Sequence, residues 1–184
     1  MDDKEILALL CQRSELALRC VDQVYGRLCY RIAYNILGND ADAKETVNDT
    51  YLRLWNAIPP ANPESLKAYI AAVCRRVALD RFAAEKAQKR GGGQLPLVLE
   101  ELETCLPVHD EDIHTQIDLR AALQAFLQTL SGRTRDIFLR RYFYTDSVRD
   151  IARAYGKSEH TVTVLLLRTR QKLKDFLQEE GFDV

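Results

Sequence analysis

Apolar residues recur at every third or fourth position over most of the chain, which is the spacing of amphipathic α-helices. The few β-branched residues fall at the same helical spacing, so no segment is predicted to be a strand. Glycine and proline separate the helical patterns, most clearly at Gly38 and at Pro59 and Pro60. The pattern therefore predicts an all-α protein, with four helices before residue 90 and further helices over residues 113–181.

Two polar residues are predicted to cap helices in the first half of the chain. Ser14 precedes the second helical pattern, which ends near Gly38, and Asp40 precedes the third, over residues 41–56. Serine and aspartate are favoured at this position because their side-chain oxygens accept hydrogen bonds from the free backbone N–H groups at a helix start.

Three consecutive glycines at residues 91–93 interrupt the helical pattern. The segment that follows, residues 98–112, carries six acidic side chains and no lysine or arginine. A charged segment of this kind is predicted to be extended and solvated. The chain is therefore predicted to form two small helical domains, residues 1–90 and 113–184, joined by a flexible acidic linker over residues 91–112.

The segment SVRDIARAYGKSEHTVTVLLLRTR, residues 147–170, has the pattern of a helix-turn-helix. Ser147 and Asp150 form a variant of the capping box. Gly156 suits a left-handed C-cap and Ser158 suits the N-cap of the next helix. That second helix has a stripe predicted to face inward: Val162, Leu165, Leu166, Thr169, Leu173, Phe176 and Leu177. A helix-turn-helix presents its second helix to the major groove of DNA, although an ordinary corner between two helices gives the same local pattern.

The composition is that of a water-soluble globular protein, with 47% apolar and 29% charged residues. No apolar run approaches the roughly 18 residues that a membrane-spanning helix needs. The first three residues, MDD, are acidic, whereas a signal peptide begins with basic residues. The five cysteines are therefore predicted to be reduced thiols of a cytoplasmic protein. Four of them lie within helical patterns and are predicted to be small core residues: Cys11, Cys20, Cys29 and Cys74.

No residue pattern in the chain supports a catalytic or cofactor-binding site. Cys105, His109 and His114 form a cluster of potential metal ligands, but their spacing matches no zinc signature. The glycines at residues 91–93 neither follow a strand nor open a helix, so they are not predicted to be a phosphate-binding loop. The sequence therefore predicts no metal, no cofactor and no enzymatic activity.

The net charge of −1 is unevenly distributed along the chain. Residues 1–82 carry 11 basic and 11 acidic side chains, and residues 83–112 carry 3 basic and 7 acidic ones. Residues 113–184 carry 12 basic and 9 acidic side chains, a balance of +3. Modules that bind nucleic acid concentrate positive charge to engage phosphates. Because this positive balance is mild, the isolated chain is predicted to bind DNA weakly.

Three stretches follow one another along the chain: LCYRIAYNILGNDADAKETVNDTYLRLW (residues 28–55), YIAAVCRRVALDRF (residues 69–82) and the helix-turn-helix region (residues 130–177). They resemble the segments by which bacterial sigma factors of the extracytoplasmic-function group, in the sigma-70 family, bind core RNA polymerase, open promoter DNA and recognise the upstream promoter element. The resemblance covers nearly the whole chain, residues 5–181. It implies two helical domains without catalytic activity.

The resemblance implies that the helix over residues 41–56 docks on core RNA polymerase. A polar stripe opposite the predicted core of this helix has side chains at three- and four-residue spacing: Glu45, Asn48, Asp49 and Arg53. A solvated face without a partner gives the same stripe, and the spacing alone does not distinguish the two interpretations.

The resemblance assigns capture of the minus-ten promoter element to the loop at residues 62–68 and to the helix after it. Such a surface needs basic groups along the DNA backbone and aromatic rings for unstacked bases. The candidate residues are Lys67, Tyr69, Arg75, Arg76 and Arg81. Tyr69 stands where the family frequently has tryptophan and Arg76 where it frequently has asparagine, which leaves the captured base undefined. As alternatives, Tyr69 packs in the core and Arg76 pairs with Asp80 on the helix surface.

The resemblance assigns the minus-thirty-five element to the outward face of the last helix. The candidate residues are Ser158, Glu159, His160, Thr163, Val164, Leu167, Arg168 and Arg170. Val164 and Leu167 are apolar for a solvated face and suit the methyl groups of thymine. Arg168 and Arg170 are predicted to lie near phosphates. As an alternative, Val164 and Leu167 pack against another helix or an inhibitor protein.

The leading interpretation is a sigma factor, which directs core RNA polymerase to specific promoters and aids promoter melting at transcription initiation. The partners this implies are core RNA polymerase and promoter DNA, with an anti-sigma factor as a further candidate and no insertion in a membrane. The alternative is a stand-alone helix-turn-helix transcription regulator. Such regulators usually dimerise to read two half-sites and need no separate domain for docking.

Overall fold

The structure is a computed structural model that describes residues 2–86, 95–103, 105–106 and 113–184. Every regular element within these residues is an α-helix. The all-α fold predicted from the hydrophobic periodicity is therefore confirmed. In this part of the chain, no helix is long and apolar enough to cross a membrane.

The chain divides into two compact units, Met1–Leu95 and Pro96–Val184. The first unit is built from four helices: α1 (Asp3–Cys11), α2 (Leu16–Leu37), α3 (Asp40–Ala57) and α4 (Leu66–Lys86). Helices α2, α3 and α4 pack on one another, and α1 packs against α2. Their shared core is aliphatic and includes Ile32, Ile36, Leu54 and Ile70. Because each helix buries one stripe, its outer face is left for polar side chains.

Two predicted caps of the first unit differ from the observed ones. Asn39, not Asp40, caps α3, because its extended backbone brings its side-chain oxygen 2.8 Å from the backbone nitrogen of Asp42. Asp40 is already helical and pairs with Lys44 at 2.7 Å. Ser14 does not cap α2: the helix begins after Glu15, which makes no capping hydrogen bond through its side chain.

The second unit also consists of helices around one apolar core. Its elements are α5 (Leu95–Glu103), α6 (Ile113–Thr129), α7 (Gly132–Tyr142), α8 (Val148–Tyr155) and α9 (Glu159–Glu179). Phe126 of α6 contacts both Phe138 of α7 and Phe176 of α9, with ring centroids about 6 Å apart. Ile151 of α8 is fully buried in the same cluster. This core fixes the position of α9 relative to α7 and α8.

The predicted linker contains a helix. The extended conformation expected from residue 98 onward is wrong for residues 98–103, which belong to α5. The acidic side chains of this short stretch obscured the helix, but Val98 and Cys105 are buried in the core of the second unit. The rest of the predicted linker, residues 91–94, 104 and 107–112, lies outside the described residues.

All five cysteines are free thiols. Cys20, Cys29, Cys74 and Cys105 are buried, whereas Cys11 is exposed, so its assignment to the core was wrong. Cys11 is the last residue of the short helix α1, where the chain turns away from the core. Of the weak candidate metal cluster, the side chains of His109 and His114 lie outside the described residues. The described part of the chain contains no group of side chains that could hold a metal ion.

Candidate nucleic-acid interface

Helices α8 and α9 form the predicted helix-turn-helix, and the predicted capping residues build its turn. The Ser147 hydroxyl oxygen accepts a hydrogen bond from the backbone nitrogen of Asp150 at 3.1 Å. Gly156 ends α8 in the left-handed conformation, with φ of 59° and ψ of 38°. Two residues later, the Ser158 hydroxyl oxygen accepts from the backbone nitrogen of Thr161 at 3.1 Å and starts α9. Local capping therefore sets the angle at which α9 leaves α8.

We expect Gly156→Ala to destabilise the second unit by about 1–2 kcal/mol, because the left-handed backbone conformation is less favourable by that amount for a residue with a β-carbon. A β-carbon at Gly156 would meet no atom within 4 Å, so the cost is conformational and not steric. Gly132→Ala is the matched control. Gly132 also has open space around it, but it lies in the first turn of α7 with an ordinary backbone. Thermal unfolding should show a loss of stability for the first variant and none for the second.

The inward stripe predicted for α9 is confirmed. Five of its seven members are buried, and the remaining two, Leu165 and Phe176, pack against the same cluster with part of their surface exposed. The hydroxyl of Thr169, a buried polar member, donates to the carbonyl oxygen of Leu165 at 2.8 Å. Since this stripe is anchored in the core, the opposite side of α9 faces away from the unit.

The exposed side of α9 carries most of the candidate residues for the minus-thirty-five element. Exposed are Ser158, Glu159, His160, Thr163, Leu167 and Arg168. Leu167 is the most exposed apolar residue of the helix, at 56%. The hydroxyl of Thr163 already donates to the carbonyl oxygen of Glu159 at 2.9 Å, so it is left to accept a hydrogen bond from a partner.

Val164 differs from Leu167 because it lies partly within a groove. This groove, about 580 Å³, separates α9 from the turn between α6 and α7, and its wall includes Ser131 and Thr134. Arg168 lines it from the side of α9. The apolar face predicted from the sequence is therefore divided, with Val164 half-buried against the protein's own surface and Leu167 protruding.

Arg170 does not face outward as predicted. Only 17% of its side chain is exposed, and its Nη1 lies 2.6 Å from the Tyr142 hydroxyl and 3.2 Å from a carboxylate oxygen of Glu101. The prediction failed because the helical wheel of α9 gives no information about α5, which brings Glu101 to this side of the helix. Arg168, by contrast, is exposed on the outward face.

On the first unit, the predicted docking stripe lies on the outer side of α3. Glu45, Asn48, Asp49 and Arg53 are all exposed. The same stripe contains Leu52, which the sequence reasoning missed and which is 59% exposed. Its position, four residues after Asn48 and three after Asp49, would have placed it on the stripe. Leu52 therefore adds exposed apolar area to a stripe that is otherwise polar.

Charged residues assigned to two different functions contact each other across α3 and α4. The Arg81 guanidinium lies 3.3 Å from Asp42 and 4.0 Å from Asp49, and it also donates to Glu45. Arg53 pairs with Asp80 at 3.3 Å. The structure thus brings the candidate docking residues next to Arg81, which the sequence reasoning assigned to DNA.

The other candidate residues of α4 differ in their exposure. Lys67 and Arg76 are exposed, near the start and the middle of the helix. Tyr69 is half-buried, so part of its side chain is accessible to solvent. Arg75 is half-buried as well, and burial lowers the pKa of its guanidinium. Lys67 and Arg76 are therefore the accessible cations of this set, while Arg75 and Arg81 are engaged within the unit.

Comparison with known families assigns both units. Residues 22–88, which span most of α2 to α4, match the family model for Sigma-70 region 2. Residues 120–173, which include the helix-turn-helix, match the family model for Sigma-70, region 4. The chain belongs to the sigma-70 family. Its similarity to a curated ECF RNA polymerase sigma factor, described next, supports the extracytoplasmic-function group. Helix α5 lies between the two matched segments and outside both.

The sigma factor is similar to the ECF RNA polymerase sigma factor SigE of Mycolicibacterium smegmatis, with 26% identity over 170 residues. That match covers 91% of this chain and 62% of the relative, so the chain spans less than two thirds of SigE. It is also similar to the RNA polymerase sigma factor SigV of Bacillus subtilis, with 24% identity over 152 residues, 82% of this chain and 85% of SigV. A solved structure of CnrH in complex with the cytosolic domain of CnrY matches over 97% of this chain and 99% of CnrH, with 17% identity and a TM-score of 0.43.

Proposed function

We propose that this protein is a cytoplasmic sigma factor that directs core RNA polymerase to specific promoters and helps to melt them. The observation that carries the proposal is the order of the two family segments, region 2 followed by region 4, each on its own compact unit. One unit has an exposed polar and apolar stripe on α3, and the other has an exposed reading face on α9. The protein then positions DNA for the polymerase and catalyses nothing itself.

The outer stripe of α3 is the proposed docking surface for core polymerase. Leu52 provides apolar area that is lost from water on binding, and the carboxylates of Glu45 and Asp49 lie on the same exposed stripe. Protein interfaces have this anatomy, with an apolar centre that excludes water and a charged rim that sets orientation. A basic polymerase surface with an apolar pocket would complement it.

Helix α4 and the loop before it form the proposed surface for the minus-ten element. Lys67 and Arg76 are the exposed cations there and would follow the phosphates of a separated strand. Tyr69 is half-buried, and a base could stack on the face of its ring once local opening exposes that face. We therefore assign backbone contacts to the two cations and base contact to Tyr69.

The outward face of α9 is the proposed reader of the minus-thirty-five element. We assign contact with a thymine methyl group to Leu167, acceptance of a hydrogen bond from a base to Thr163, and contact with a phosphate to Arg168. His160 lies one turn before Thr163 on the exposed side of α9, and either nitrogen of its ring can take part in a hydrogen bond. An anti-sigma protein is a candidate competitor for this face, since it would bury Leu167.

A pull-down with bacterial core polymerase, followed by run-off transcription on genomic fragments, tests the proposal. The sigma factor should form a complex with core polymerase and start transcripts at discrete promoters that core polymerase alone does not use. If the chain instead binds duplex DNA tightly as a dimer, without polymerase and without any change in transcription start, the stand-alone regulator is correct.

We expect Leu52→Ala to weaken binding to core polymerase by about 1–2 kcal/mol, or roughly 5- to 30-fold, because it removes the apolar centre of the surface. Leu16→Ala is the matched control, since Leu16 is a similarly exposed leucine on α2 and outside the stripe. Titration of labelled core polymerase measures both affinities. Equal affinities for wild type and Leu52→Ala would exclude the stripe as the docking surface.

Neutral substitutions test the carboxylates better than reversed charges do. Lysine at residue 45 or 49 would lie beside the Arg81 guanidinium and disturb the contact between α3 and α4. Glu45→Gln with Asp49→Asn keeps the shape of both side chains. This double variant should bind core polymerase more weakly, with less dependence of affinity on salt, and should unfold at the wild-type temperature.

A further inference from the structure

Besides the buried Val98, helix α5 contacts the second unit through the carboxylate of Glu101. The Nε of Arg141 lies 3.2 Å from both oxygens of this carboxylate, and its Nη2 lies 2.5 Å from one of them. The Tyr142 hydroxyl donates to the other oxygen at 2.9 Å. Arg170 of α9 donates to that oxygen as well, at 3.2 Å. One acidic side chain therefore serves two arginines, one from α7 and one from the helix that carries the reading face.

The two arginines depend on Glu101 to different degrees. Arg141 is only 2% exposed and needs a counterion, because a buried charge without a partner is strongly destabilising. Arg170 keeps some contact with solvent and also has the Tyr142 hydroxyl. Burial alone would raise the pKa of Glu101, but Arg141, with Tyr142 and Arg170, lowers it on balance, so the carboxylate stays ionised.

Helix α5 and the residues after it also reverse the charge of the DNA-binding unit. Residues 113–184 carry 12 basic and 9 acidic side chains, a balance of +3. The compact unit at residues 96–184 carries the same 12 basic and 15 acidic side chains, a balance of −3. Since phosphates drive most of the affinity for DNA, this added negative charge opposes binding.

We propose that Glu101 competes with DNA phosphate for Arg170 and thereby limits the DNA affinity of the second unit. The proposal rests on the function proposed above, because it assumes that α9 meets promoter DNA. Arg170 lies three residues after Leu167, at the edge of the reading face, where an arginine that turned toward solvent would reach the backbone of bound DNA.

The exchange is physically feasible because Glu101 would not be left unpaired. When a phosphate takes Arg170, the carboxylate keeps Arg141 and the Tyr142 hydroxyl, and α5 stays in place. Arg170 exchanges one anion for another, so neither state contains an uncompensated buried charge. A purely structural ion pair would need only Arg141 and Glu101, and the second arginine is the feature that this proposal explains.

The test compares Glu101→Gln with Glu100→Gln in the full chain, by fluorescence anisotropy on an upstream promoter duplex found by run-off transcription. Both variants lose one negative charge, but Glu100 is exposed and serves as the control for net charge. Glu101→Gln should bind more tightly than Glu100→Gln. One added phosphate contact should also steepen the salt dependence, by about 3.5-fold in affinity between about 50 and 200 mM salt.

Arg170→Gln shows whether Arg170 is the group released. It should have little effect in the wild-type chain and should abolish the gain in the Glu101→Gln chain. If Glu101→Gln binds no better than Glu100→Gln, or if its gain survives Arg170→Gln, the proposal is overturned.

Glu101→Gln leaves the buried Arg141 beside a neutral amide and could impair folding. Tyr142→Phe tests the same competition without removing that counterion. This variant keeps both charges and removes the hydroxyl that holds Arg170, so it should also raise DNA affinity, by less than Glu101→Gln. Unchanged or weaker binding would count against the competition. Run-off transcription with the wild-type chain separates the two proposals: if it succeeds while these comparisons fail, the sigma-factor function stands and the role of Glu101 does not.

Discussion

Replacing Leu166 with alanine should destabilise the second unit by about 2–5 kcal/mol, the range for removing a leucine side chain from a packed core. Leu166 is 1% exposed and lies in the cluster that joins α9 to α7 and α8. The cavity would face side chains from three helices, which cannot all move inward. Promoter recognition at the upstream element should be lost with the fold of this unit.

The neighbouring residue provides the control for this prediction. Leu167→Ala removes the same atoms from a side chain that is largely exposed, so its effect on stability should stay within about 0.5 kcal/mol. Urea unfolding followed by circular dichroism reports on both units, whereas fluorescence of the single tryptophan, Trp55, reports on the first. Leu166→Ala should lower the urea concentration at which circular dichroism reports unfolding of the second unit. The unfolding transition followed by Trp55 fluorescence should stay unchanged. Equal stability of the two alanine variants would mean that α9 is not anchored as described.

Leu167→Ala should instead change which promoters are used. Loss of a contact with a thymine methyl group should cost about 1–3 kcal/mol at one base position and little elsewhere. Val164→Ala should have a smaller effect, because part of Val164 already packs in the groove beside Ser131 and Thr134. Run-off transcription from a panel of promoters, each changed at one position of the upstream element, measures this discrimination.

Arg168→Ala is the comparison for a contact that carries no sequence information. It should weaken binding by a similar factor on every promoter of the panel and reduce the slope of affinity against salt by about one phosphate contact. If Leu167→Ala retains the wild-type order of promoters, Leu167 does not read DNA. A protein competitor such as an anti-sigma factor would then be the better occupant of this face.

The sequence predicted the helix-turn-helix accurately because its determinants are local. Ser147, Gly156 and Ser158 act on backbone groups within three residues of themselves, and the inward stripe of α9 follows from helical spacing alone. The shift of the α3 cap from Asp40 to Asn39 is a local error of one residue between two good capping side chains. Errors of this size do not alter the packing.

The larger errors concern contacts between elements far apart in the sequence. The outward orientation expected for Arg170 is wrong because nothing within α9 indicates that Glu101, 69 residues earlier, contacts it. Arg81 was separated from Glu45 for the same reason, since the two residues are 36 positions apart. Leu52 was missed although its spacing was visible, because the stripe was defined by polar residues and Leu52 is apolar. Periodicity gives the face of a helix, but the partner of that face depends on tertiary packing.

The contact between Glu101 and Arg141 joins a residue outside the segment that matches the family to a residue inside it. The segment recognised across the sigma-70 family begins at residue 120, whereas the unit that is compact in this protein begins at residue 96. The segment that matches the family and the segment that packs as one unit therefore begin at different residues. A gene fragment that began at residue 120 would encode the buried Arg141 without its counterion Glu101, so a protein engineer who grafts this helix-turn-helix onto another chain must transfer α5 with it.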